Sequence, residues 1–239
     1  MQLPDHALFS IDANLPATGP TGLVEFDHLG TILYGAAFNH VTNKIYVTNT
    51  ELPNLTNFEG PGSHGGTTVQ GRLSESRITV VDPGTGTVDS QHINQHIQYQ
   101  HLHTDVPDVV DVTLKEHTLA TPMQTVVSQD GSTLYTVAFG SGKVGVFSAA
   151  SIEDPLFETN FDPTVESANY IEVGPGPSGL ALDEANGRLY VLTRFNNTVV
   201  AIDLVTKLSL IHISEPTRPR LISYAVLCLK KKRGGGGGG

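Results

Sequence analysis

Asn39-His-Val-Thr-Asn-Lys-Ile-Tyr-Val-Thr-Asn49 reads as a polar turn followed by an aliphatic-Tyr-β-branched strand, and the chain repeats the pattern twice. The copies are Ser128-Gln-Asp-Gly-Ser-Thr-Leu-Tyr-Thr-Val-Ala138 and Asp183-Glu-Ala-Asn-Gly-Arg-Leu-Tyr-Val-Leu-Thr193, with Tyr46, Tyr135 and Tyr190 in the shared slot. β-Branched and aromatic residues suit a pleated, half-buried surface. Asp130-Gly131 and Asn186-Gly187 mark tight hairpins, because Asn, Asp and Gly accept the positive φ such turns require.

Each Tyr strand has neighbours of its own. Strands are predicted before it at Ile32–Phe38, Met123–Ser128 and Gly179–Asp183, and after it at Ile78–Asp82, Val144–Ser148 and Val199–Asp203. Leu8-Phe-Ser-Ile-Asp12 matches the later slot without its preceding strands. Four-stranded antiparallel units repeated along a chain predict β-propeller blades. Tyr46 and Tyr135 lie 89 residues apart, and Tyr135 and Tyr190 lie 55 apart. A minimal blade takes about 40–45 residues, so insertions are expected at 51–75 and 92–121. The expected fold is all-β, a truncated and open β-propeller of about three four-stranded antiparallel blades. Its parts would be a blade remnant at 1–27 and blades near 28–92, 119–173 and 174–207, the last incomplete.

Lys44-Ile-Tyr-Val-Thr-Asn49 resembles the signature of the YVTN family of β-propellers, and the other two hairpins are looser copies. Phe58-Glu-Gly-Pro-Gly62, Gly65-Gly66, Val69-Gln-Gly71 and Glu75-Ser-Arg-Ile-Thr-Val80 resemble a bacterial subgroup of that family. The resemblance implies an exported protein, periplasmic or extracellular, with a c-type cytochrome region after the propeller. Haem c would then belong to that missing region, because residues 1–207 hold no cysteine and no Cys-x-x-Cys-His motif.

The end of the chain reads differently. Leu208-Ser-Leu-Ile-His-Ile-Ser-Glu-Pro-Thr-Arg218 resembles translated sequencing-adapter DNA. Ile222–Leu229 resembles the flow-cell end of the same adapter, departing from it at Leu227, and Lys230–Lys232 and Gly234–Gly239 read as poly-A and poly-G. Residues 208–239 are therefore set apart as an adapter-derived tail rather than a domain, expected to lack packed contacts with the blades. Cys228 beside Lys230-Lys-Lys-Arg233 resembles a lipidated anchor, but its apolar run is too short to span a bilayer. Met1-Gln-Leu-Pro-Asp-His opens in polar sequence without a signal-peptide pattern.

The tail holds six of the 14 Lys and Arg and one of the 24 Asp and Glu, leaving 8 and 23 in residues 1–207 and a net charge of −15. So acidic a surface argues against nucleic-acid partners, which demand a basic footprint. Without cysteine, residues 1–207 can form neither a disulfide nor a thiolate metal site.

Histidine is the chemically suggestive residue type. His92, His96, His101 and His103 crowd into the second insertion, with His117 following and His64 in the first. Imidazoles are good ligands for zinc, copper or iron, so these four are the candidate metal ligands. The bland alternative is a polar loop rich in Gln, Asn and His. Asp105, Asp108, Asp111 and Glu116 offer a calcium alternative, though without EF-hand spacing. Glu59-Gly-Pro-Gly-Ser-His-Gly-Gly66 lacks the lysine of a P-loop, and Gly174-Pro-Gly-Pro-Ser-Gly179 reads as a turn leading into an inner strand. Arg72, Arg77, Arg188 and Arg194 make up half of the basic residues in 1–207. Pairing with carboxylates such as Glu75 is the expected state of Arg77.

The leading functional expectation is a binding and docking module of an exported bacterial, cytochrome c-linked protein, without a catalytic centre of its own. Its partner would be a protein or the missing cytochrome region; neither nucleic acid nor a membrane span is expected. The competing readings are a propeller enzyme, hydrolase or quinoprotein-like dehydrogenase, with an axial metal, and a structural cell-surface repeat protein.

Overall fold

A computed structural model of the chain describes residues 6–12, 14, 23–52, 73–97 and 112–214. Among them, strands β1 (His6–Ile11) and β2 (Leu23–Asp27) form a two-stranded antiparallel half-blade. Blade 1 comprises β3 (Ile32–Asn39), β4 (Lys44–Glu51), β5 (Glu75–Asp82) and β6 (Thr87–His92) in that order. Blade 2 comprises β7 (Pro122–Val127), β8 (Thr133–Ala138), β9 (Lys143–Ser148) and a two-residue β10 (Ile171–Glu172). Blade 3 comprises β11 (Pro177–Asp183), β12 (Arg188–Thr193), β13 (Thr198–Asp203) and β14 (Ser209–Ser214). The first strands of successive blades touch, β3 against β7 and β7 against β11, so each blade runs outward from a shared centre. The fold is an open β-propeller.

Tyr46, Tyr135 and Tyr190 are each the third residue of their blade's second strand. They pair inward with Ala37, Val126 and Ala181, and outward with Val80, Val146 and Ala201. The two faces of β4 show why the segment has its sequence. Tyr46, with Ile78 and Val80 of β5, packs into a core shared with Leu134 and Phe147 of blade 2. Val47, with Val81, packs the other way against Phe26 and Leu29 at the half-blade. Alternate residues thus serve opposite neighbours, as the pleat dictates. The following pair is polar but buried. Thr48 Oγ1 donates to the Met123 carbonyl of blade 2, while Asn49 Nδ2 donates to Thr79 Oγ1 at 2.8 Å on the side facing the half-blade.

The inner strands carry a device that the sequence did not announce. Each has a bulge near its start, between Leu33 and Gly35, Pro122 and Thr125, and Pro177 and Gly179. A bulge bends the strand and frees an extra residue from the ladder. In β7 the bulge leaves Met123 and Gln124 without ladder partners, and the Gln124 side chain reaches the next blade. Its Oε1 accepts from the Leu180 amide at 2.9 Å, and its Nε2 donates to the Leu180 carbonyl at 3.2 Å. One side chain thereby imitates a backbone pairing across the blade junction.

The third strands end alike. Asp12, Asp82 and Asp203 accept from amides two residues on, turning the chain toward the outer strand. The backbone donors of Gly84 and Thr85 hold Asp82 below the ordinary carboxylate range, and Thr206 does the same for Asp203. Ser148 takes this place in blade 2, where its hydroxyl caps helix α2 (Ala149–Ile152). Helices α3 (Phe157–Asn160) and α4 (Pro163–Ser167) follow. This helical excursion between the third and fourth strands was not expected. It sends Ile152 and Phe157 into the core between blades 1 and 2.

Two further expectations need correction. Residues 209–214 do not stand apart from the blades: β14 pairs with β13 from Ile202↔Ser209 to Thr198↔Ser214 and completes blade 3. The reason is physical. The Asp203 turn, closed by the Lys207 amide donating to the Asp203 carbonyl at 2.9 Å, lies in 1–207 and directs whatever follows back along β13. An unpaired strand edge is a template for any strand-competent segment, and alternating Ile211-His-Ile213 is one. The strand expected at Ile78–Asp82 begins at Glu75, so Arg77 lies inside β5, where its guanidinium meets Glu75 and, at 3.8 Å, Glu51.

Candidate functional site

In each antiparallel blade the second-to-third turn leaves from the same rim as the passage to the next blade. Both long insertions, 52–74 and 93–121, therefore rise from one face, which also carries the shorter turns at 139–142, 173–176 and 194–197.

The second insertion starts from a fixed base. The Asn94 side chain exchanges two hydrogen bonds with the backbone of Leu119, Nδ2 to carbonyl at 2.8 Å and amide to Oδ1 at 2.9 Å. Its ends are thus pinned together. Helix α1 (Val112–His117) ends beside this clamp, where Lys143 Nζ donates to the Lys115 and Glu116 carbonyls at 3.0 and 2.7 Å. A buried ammonium satisfied by helix C-terminal carbonyls suits the negative end of the helix dipole. Glu116, one of the candidate calcium ligands, is exposed.

His92 is buried at the end of β6, and its amide donates to Glu158 Oε1 of α3 at 2.7 Å. His96 stacks on Phe161, with centroids 6.0 Å apart and planes 11° from parallel, and meets His117 edge-on at 6.2 Å. His96 Nε2 lies 3.2 Å from Thr118 Oγ1, and His117 Nδ1 shares a hydrogen bond with Ser167 Oγ. The fold therefore sets His92 and His96 against the same helical excursion and adds His117 as the third imidazole of that corner. His101, His103, His64, Asp105, Asp108, Asp111 and Arg72 lie outside the described residues. Among the described residues no group of three or more His, Cys, Asp or Glu is placed to hold a metal ion.

A second feature of the face was missed in the sequence. Between blades 2 and 3 lies a groove of about 390 Å³ walled by Phe139 and Phe195. Their rings sit 5.4 Å apart at 59°. Both follow the last residue of a second strand, or its neighbour, a repeat signal that comparison of the two hairpins could have exposed. Glu172 stands at the rim, 3.4 Å from Lys143 Nζ. Arg194 at the inner side donates from Nε to Ser178 Oγ at 3.1 Å. No described helix is long and apolar enough to cross a membrane.

No family model matches the sequence, and no curated protein matches it. Among solved structures, hydrazine synthase from Kuenenia stuttgartiensis is similar at a TM-score of 0.51 and 14% identity, covering 77% of this chain and 51% of that one. The periplasmic gluconolactonase PpgL of Pseudomonas aeruginosa matches at 0.49 and 14%, covering 89% and 50%. The β-propeller domain of the trilobed protease from Pyrococcus furiosus matches at 0.42 and 8%, covering 78% and 43%. At such identities the likeness is one of fold alone. The chain spans about half the length of these structures.

Proposed function

We propose that this chain is the docking part of an exported, cytochrome c-linked propeller protein of the YVTN type, with the insertion face as its partner surface. The observation that carries the reading is that both long insertions leave from the rim that also bears the histidine corner and the Phe139–Phe195 groove. Beneath it the blades are locked by Thr48, Gln124 and the Tyr46 core, so the loops are presented from a rigid base. Loops on a stiff scaffold are where recognition concentrates. The YVTN assignment is supported by β4, in which Tyr46 and Thr48 face blade 2 while Val47 and Asn49 face the half-blade.

Charge supports the choice of partner. A net −15 over residues 1–207 favours association with a lysine-rich protein. His92, His96, His101 and His103 would supply imidazoles to a metal or to a nearby haem-bearing partner. The test is calorimetric titration of the full chain with a basic c-type cytochrome at low and at physiological salt. The expected result is saturable binding that weakens as salt rises, weakens further in Glu172→Lys, and is nearly unchanged by Val205→Lys on the opposite face. Absence of binding at low salt, or equal loss in both variants, would overturn the reading.

A further inference from the structure

We infer that the Phe139–Phe195 groove is a receptor for an extended, proline-containing peptide segment that carries a basic residue. This deepens the docking reading and rests on it, because it names the chemistry of one partner element at that face.

The groove is built to stay open and smooth. Its floor is backbone: Gly142, Gly174 and Gly176 have φ of 70°, 94° and 70°, conformations that L side chains rarely adopt. A β-carbon on Gly176 would stand 2.8 Å from the Phe195 ring, and one on Gly142 would stand 3.1 Å from the Gly174 carbonyl oxygen. The Phe195 ring therefore rests directly on bare main chain at Gly176. With centroids 5.4 Å apart at 59°, the Phe139 and Phe195 rings touch and form one continuous aromatic wall of the groove. Phe195 is 68% exposed.

Three observations select the occupant. Pyrrolidine rings pack well on aromatic walls, and a polyproline II segment needs no internal hydrogen bonds and loses little entropy on docking. At Gly174, where a β-carbon would meet nothing nearer than Asn196 Nδ2 at 3.7 Å, the floor lets a second backbone approach closely. Glu172 then sets the charge. Its side chain is 75% exposed, while its cationic neighbour Lys143 is buried and already donates to the Lys115 and Glu116 carbonyls. The Glu172 carboxylate is thus only partly answered and is placed to receive a Lys or Arg of the peptide.

The test uses the full chain and two labelled peptides of equal length and charge, one an oligoproline ending in arginine and one a glycine-serine repeat ending in arginine. Fluorescence polarisation is expected to show saturable binding of the oligoproline, at least about tenfold tighter than the repeat. Because one aromatic anchor often dominates a small interface, Phe195→Ala should weaken it about tenfold without moving the melting midpoint. Glu172→Arg keeps the groove and should shift preference to an oligoproline ending in aspartate, which guards against a folding defect in the first variant. Equal binding of the two arginine peptides, or wild-type affinity in both variants, would overturn the assignment. Loss of oligoproline binding with cytochrome binding intact removes this inference alone; the reverse outcome removes the cytochrome reading and leaves the groove.

Discussion

Tyr46→Ala is expected to cost about 3–5 kcal/mol, the range for deleting a large buried aromatic side chain. That is a large share of the roughly 5–15 kcal/mol by which a domain is stable. Tyr46 is fully buried in the core between blades 1 and 2. Its hydroxyl donates to Glu153 at the end of α2 and accepts from Asn39 Nδ2 at 3.1 Å. Glu153 also accepts from Thr42 Oγ1 at 2.8 Å and pairs with Lys44 at 3.3 Å. Tyr46→Phe keeps the ring and removes only the hydroxyl, so a smaller loss of about 1–3 kcal/mol is expected. Urea unfolding of the two variants separates packing from polar contributions; equal midpoints for both would show that the ring contributes nothing.

The same residue predicts an alkaline transition. Burial, with the hydrogen bond to Glu153 adding to it, pushes the Tyr46 phenol up to about 12 from an ordinary 10. The folded-state value is the higher one, so the associated stability is complete below pH 10 and is lost as pH rises through 12. Wild type should therefore lose stability more steeply than Tyr46→Phe over that window. Parallel pH profiles would refute the assignment.

Truncation after Leu208 is the second large effect. Five residue pairs join β14 to β13, and at about 0.2–1 kcal/mol per cross-strand pair their loss sums to about 1–5 kcal/mol. It also bares the β13 edge beside Val200 and Ile202, both fully buried in the core between blades 2 and 3. The shortened chain is expected to melt earlier and to scatter light on heating, since an open edge recruits other chains. Identical melting and scattering with and without residues 209–239 would show that the pairing has no energetic weight.

That outcome also bears on how much the sequence disclosed. The Tyr hairpins were legible because alternation with Asp-Gly and Asn-Gly turns is a local signal, and the three tyrosines occupy one register position. Helices α2 to α4 were not, since four- and five-residue helices have no stability of their own. They are held by the Ser148 and Asp162 caps and by burial of Ile152 and Phe157. Strand β14 was misjudged because coding origin was taken as a guide to packing, whereas hydrogen bonding depends only on what the segment is and where the turn aims it. At the candidate site, His92 and His96 stood out by crowding. Their surroundings did not: Glu158 lies 66 residues from His92, and Ser167 lies 50 from His117. Phe139 and Phe195 are brought side by side only by the packing of two blades.

Gln124 has one more consequence. Leu180 surrenders its amide hydrogen to a side chain of the preceding blade rather than to a strand. The rate at which that single hydrogen swaps with deuterated solvent is therefore a gauge of whether neighbouring sectors are seated or have parted. It reads the hub itself, while the peripheral ladders continue to report only on themselves.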